Sequence, residues 1–112
     1  MKNEQNNESS YELDKEIISV TKTTIDRILK EKNPDVLSLY MFYAYTGKWQ
    51  STNSVFCTTE YAKKGLNLGR FRMTNAKKTL LELGLIEDVT RKDDDGRISG
   101  HYIKVNYVIK NN

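Results

Sequence analysis

TTEYAKKGLNLGRFRMTNAKKTLLELGLI, residues 58–86, decides how the rest of the chain is organised. It reads as a short helix from Thr59 to about Lys64, a turn through Gly65 to Gly69, and a longer helix ending at Gly84. Within the longer helix Met73, Ala76, Leu80 and Leu83 fall at i, i+3, i+7 and i+10, one apolar stripe that must face a core. The other side, strongest at its N-terminal half, then presents Arg70, Arg72 or Thr74, Asn75 and Lys78. Two helices joined by a tight glycine-containing turn, the second opening on arginines, have the form of a helix-turn-helix.

Charge is concentrated on the same stretch. The 112 residues are enough for one domain with one core, and the net charge of +3 with a pI near 8.9 permits an anionic partner without demanding one. From residue 59 to 81, however, Lys63, Lys64, Arg70, Arg72, Lys77 and Lys78 stand against Glu60 alone, a local excess of +5 that leaves −2 for everything else. A hydrophobic content of 38% and 29% charged residues fit a soluble globular domain. The single cysteine, Cys57, excludes an internal disulfide and a cysteine-based zinc site, and fits a reducing cytoplasm. MKNEQNNESSYE lacks the apolar segment of a secretory signal, and no apolar run is long enough to span a bilayer. Residues 1–14 are too polar to order themselves and are expected to form a disordered tail.

Upstream of the helix pair, Ile17 to Val20 reads as a short strand or extended arm and Thr23 to Glu31 as an amphipathic helix. Asn33, Pro34 and Asp35 supply a cap, a first-turn proline and a first-turn carboxylate, a strong helix start. Nine of the ten residues from Val36 to Tyr45 are apolar or aromatic, so this helix is buried on several sides, with Gly47 as the residue that ends it. Its tyrosines serve either the core or a dimer surface. Trp49 is expected to plug one end of the core, and Val55 to Cys57 to form a small strand. Downstream, Leu85 to Arg91 starts a strand, Asp95-Gly96 marks a hairpin turn, and His101 to Ile109 returns with Ile103, Val105 and Tyr107 on one face. The fold class is therefore α+β, with a domain over residues 15–110, the helix-turn-helix at about 58–84 and the hairpin at about 85–109.

This order of elements is that of a winged helix, with the hairpin as wing. LLELGLIEDV is similar to the helix-to-strand junction of winged-helix DNA-binding proteins. AKKGLNLGRFR, LLELGLIE and GRISGHYIKVNYVI together resemble the N-terminal winged-helix domains of replication-initiation or replisome-organiser proteins of Gram-positive phages and plasmids, including DnaD-like primosomal proteins. The resemblance covers about residues 33–109. It implies a winged helix-turn-helix with a small three-helix core and a C-terminal β-hairpin wing, double-stranded DNA and replisome proteins as partners, and a role in replication initiation or transcription regulation. Longer members of that group carry a further C-terminal domain that these residues do not include.

An enzyme needs a constellation, and none is legible. His101 has no cysteine or second histidine near it and reads as a surface or sheet-edge side chain. Asp93, Asp94 and Asp95 before Gly96 lack the first ligand and the closing glutamate of a calcium loop. Cys57 reads as a small buried residue. No catalytic residue, metal, cofactor, small-molecule substrate or membrane contact is expected. Sequence-specific double-stranded DNA binding through a recognition helix at about 70–83 has a mechanism: Arg70, Arg72 and Asn75 are of the types that read base edges, and Thr74, Lys63, Lys64, Lys77 and Lys78 suit the phosphate backbone. Lys92 and Arg97 on the wing can add contacts, while the three aspartates hold the wing tip away from phosphate. Phe71 is expected to turn into the small core of the turn. The alternative is a protein-interaction or oligomerisation module, a homodimer included, built on Tyr40, Tyr43, Tyr45 and the apolar hairpin strand.

Overall fold

The computed structural model describes residues 18–107. These form an α+β fold of four helices, α1 (Lys22–Leu29), α2 (Pro34–Gln50), α3 (Thr59–Leu66) and α4 (Arg70–Glu82), and three strands, β1 (Ser54–Val55), β2 (Ile86–Lys92) and β3 (Ile98–Val105). The strands make one antiparallel sheet in the order β1-β3-β2. The expected tail lies outside the described residues, as does Ile17. Ile18 to Val20 belong to neither helix nor strand.

The central element is α2, which starts as its sequence dictates. Asn33 Oδ1 accepts from the Asp35 backbone N–H at 3.0 Å and Pro34 takes the first helical position. Val36, Leu39, Tyr40 and Tyr43 are essentially fully buried, and α1, α3, α4, β1 and β3 all pack against the helix. Tyr40 donates through its hydroxyl to the Asn106 carbonyl at 2.7 Å, which satisfies its one polar group inside the core. Two of the three tyrosines weighed for a dimer surface are therefore core residues; Tyr45 remains exposed.

Three expectations are corrected around the end of this helix. It does not stop at Gly47 but runs to Gln50, and the left-handed residue that closes it is Ser51, at φ 58°. Gly47 is needed for a different reason. A Cβ there would lie 2.6 Å from the Thr52 carbonyl oxygen and 2.8 Å from Val55 Cγ2, because the chain doubles back over the helix at this point. The extra turn carries Trp49 onto the stripe of Tyr45, one turn along and away from the core side, so it is 73% exposed rather than a plug. The expected strand at Val55 to Cys57 is also shorter. Gln50 takes both backbone groups of Phe56, accepting from its N–H at 2.9 Å and donating to its carbonyl at 2.8 Å, and this ends the ladder after Val55.

The sheet closes the core from the other side. Ile86 pairs with Val105 and Val55 with Ile103, all four side chains buried. At the far end of the hairpin Asp93 builds the turn, its Oδ1 accepting from the N–H groups of Asp95 at 3.0 Å and Arg97 at 2.9 Å, with Gly96 at φ 80°. Among the described residues no helix is long and apolar enough to cross a membrane.

Candidate nucleic-acid interface

Thr58 caps α3, accepting from the Tyr61 N–H at 3.1 Å. The helix continues through Gly65 to Leu66, so the turn is narrower than expected, residues 67–69, with Asn67 left-handed at φ 55°. Gly65 is consumed by packing: a Cβ at this position would run into the Phe42 ring, so only glycine lets α3 lie this close on α2. Gly84 ends the second helix as expected, at φ 74°, with the Leu85 N–H returning to the Leu80 carbonyl at 3.0 Å.

The apolar stripe of α4 is seated as its spacing predicts. Met73, Ala76 and Leu80 are fully buried against the core and Leu83 partly so. At about 100° per residue the centre of the opposite side falls at Phe71 and Lys78, with Thr74 and Asn75 beside them. All four are exposed. Phe71, expected to fill the turn, is 82% exposed; Leu66 and Leu68 pack there instead. Arg70 lies on one flank of the outward face and Arg72 on the other.

That flank decides the state of Arg72. Its Nε donates to Asp35 Oδ2 at 2.8 Å and its Nη2 to Asp35 Oδ1 at 2.6 Å, a two-pronged contact between the first turn of α4 and the first turn of α2. The hydrogen bonds from Arg72 hold the Asp35 carboxyl below the usual aspartate range. Arg72 thus acts as a strut, and the outward face consists of Arg70, Phe71, Thr74, Asn75 and Lys78.

The other candidate cations divide by partner. Lys63 sits 3.0 Å from Glu60, whose carboxyl is lowered first by that hydrogen bond and then by the charges of Lys63, Lys64 and Arg70. Lys77 sits 3.4 Å from Asp88 and so joins α4 to β2. Lys64, Arg70 and Lys78 enter none of the ion pairs among the described residues. Lys92 and Arg97 are exposed on either side of Asp93, Asp94 and Asp95 at the hairpin tip.

A groove of 590 Å³ separates the helix pair from the hairpin, lined by Phe56, Thr58, Lys77, Asp88, Thr90 and His101 among others. At its floor burial pushes the Cys57 thiol up to about 11, against a smaller downward pull from Lys77, so the sulfur is a protonated core group at neutral pH. His101 is exposed, its Nδ1 3.5 Å from Thr90 Oγ1. Among the described residues no cluster of three or more His, Cys, Asp or Glu is arranged to hold a metal ion. Comparisons with protein-family models, curated proteins and solved structures find no match.

Sequence reasoning missed the acidic partners. Asp88 follows the helix by a few residues, but Asp35 meets Arg72 across 37 positions of chain, a distance at which no periodicity speaks. Phe71 was recoverable, since its angle from the Met73, Ala76 and Leu80 stripe already put it outside. A separate exposed aromatic surface, Tyr45, Trp49, Phe56 and Tyr61, flanks the C-terminal end of α2.

Proposed function

We propose that this chain is a winged-helix module that binds double-stranded DNA without catalysis, α4 entering the major groove and the β2–β3 hairpin serving as the wing. One observation carries the reading: α4 is seated by a buried stripe and tied to α2 by Arg72, while its outward face carries polar and basic side chains with no ion-pair partner among the described residues. A helix about 10–12 Å across fits a groove about 12 Å wide. Arg70 is suited to guanine O6 and N7 and Asn75 to adenine N6 and N7; Thr74, Lys64 and Lys78 are suited to phosphate. Arg72 is engaged with Asp35 of α2 and is left out of the base-reading set. On the wing, Lys92 and Arg97 flank aspartates that phosphate repels, so contact there comes from the sides and not from the tip.

The setting, replication initiation or transcription regulation of a phage or plasmid, rests on the sequence resemblance alone. Titration of a labelled mixed-sequence duplex at low salt tests the binding, together with Arg70→Ala and Asn75→Ala. Absence of binding refutes the reading, and undiminished binding by both variants refutes the assignment to α4. The exposed aromatic surface at Trp49 favours a second reading, an interaction or self-association module within a replisome assembly. Light scattering over a concentration series separates the two, since a stable dimer with no duplex affinity supports only the second.

A further inference from the structure

Phe71 occupies the middle of the outward face of α4 and is 82% exposed, an unusual place for a ring that most proteins would bury. Among the described residues it takes part in none of the ring pairs, which involve Tyr40, Phe42, Tyr45, Phe56, Tyr61, Tyr102 and Tyr107. Arg70 precedes it, and Thr74, Asn75 and Lys78 follow within two helical turns on the same side.

Resting on the duplex-binding reading, we propose that Phe71 selects thymine, its ring covering the C5-methyl group in the major groove. A helix entering that groove meets the edges of paired bases, and the thymine methyl is the one apolar group those edges offer. Stacking on a base face needs an unpaired base and an open platform; Phe71 instead projects from a convex helix between polar neighbours. Asn75 stands four residues on, about 6 Å along the helix axis, which spans roughly two base-pair steps at 3.4 Å each. Its amide matches adenine N6 and N7. The two residues therefore ask for A·T pairs about two base pairs apart, so the ligand class is a duplex with an A·T core, flanked on the Arg70 side by guanine.

The probes are three duplexes: mixed-sequence DNA, an alternating adenine–thymine duplex, and the same duplex with uracil for thymine, which removes only the methyl groups. The full chain is expected to bind the thymine duplex about fourfold more tightly than the uracil duplex, the worth of covering one methyl. Phe71→Ala is expected to bind both alike, and Phe71→Leu to keep part of the preference. Truncating so exposed a side chain leaves the fold intact. Equal affinity of the full chain for thymine and uracil duplexes, with mixed-sequence binding retained, overturns the thymine proposal alone. A preference that survives Phe71→Ala also overturns it. Failure to bind any of the three overturns the duplex reading and this proposal with it.

Discussion

Salt provides the sharpest test of how the charge on the helix pair is deployed. Six cations lie between residues 59 and 81, and if each neutralised a phosphate the slope of log K against log salt would be about −5.4, a loss of about 2,000-fold between 50 and 200 mM. The structure predicts a much shallower response. Lys63, Arg72 and Lys77 already face Glu60, Asp35 and Asp88, and each displaces its carboxylate partner before it can serve a phosphate. Lys64 and Lys78 remain for phosphate on the helix pair, Arg70 serving a base, and with Lys92 and Arg97 on the wing this gives a slope of about −3.6 and a loss of about 150-fold over the same range. The assay is a fluorescence titration of a labelled duplex at four or more salt concentrations. Lys78→Ala should lower the slope by about 0.9, whereas Lys77→Ala should leave it nearly unchanged. A thousandfold loss, or equal effects of the two lysine variants, refutes the division of these residues by partner.

Gly47→Ala should lower the urea midpoint, because the added Cβ meets a backbone oxygen that cannot rotate away. Overpacking of ~1–3 kcal/mol outweighs ~1 kcal/mol of gained helix propensity. Leu80→Ala should cost ~2–5 kcal/mol in calorimetry, since it hollows the seat of α4 at a fully buried position. The Asp35–Arg72 strut is present above the usual aspartate range and lost as pH falls through the depressed Asp35 pKa, because protonation removes the acceptor. The Arg72 side-chain N–H signal in NMR should therefore stay constant from pH 7 down to about 4 and move only below it. Cys57 in the folded protein should react with iodoacetamide at pH 8 about a hundredfold more slowly than in urea, given a thiol raised to about 11 by burial.

The helices and the hairpin were legible because each is written locally: a cap and proline at Asn33 and Pro34, a stripe through Met73, Ala76 and Leu80, an Asp-Gly turn at Asp95 and Gly96. The errors at the two helix ends share a cause. Gly47 and Gly65 look like punctuation, but each makes room for another part of the chain, Thr52 and Val55 in one case and Phe42 in the other. Local conformational preference cannot distinguish a glycine that bends the backbone from one that admits a neighbour. Trp49 followed from the first of these, since ending the helix early misplaced every side chain after it. At the candidate site, residue types were legible and their engagement was not. Arg70 and Arg72 are alike in sequence, and only the approach of α2 to α4 gives one of them a carboxylate.

The pairing of Val55 with Ile103 bears on how the domain is assembled. Helices α3 and α4 both lie within the segment that this contact closes, so its loop-closure cost exceeds that of the β2–β3 hairpin. A pairing that closes so long a segment is expected to form late in folding. The α3–α4 pair is therefore not a detachable part. A peptide spanning residues 58–86 alone would lack the floor on which its stripe rests and is expected to be unfolded, and Ile103 and Lys104 of β3, which pair with β1, act as the clasp of the domain.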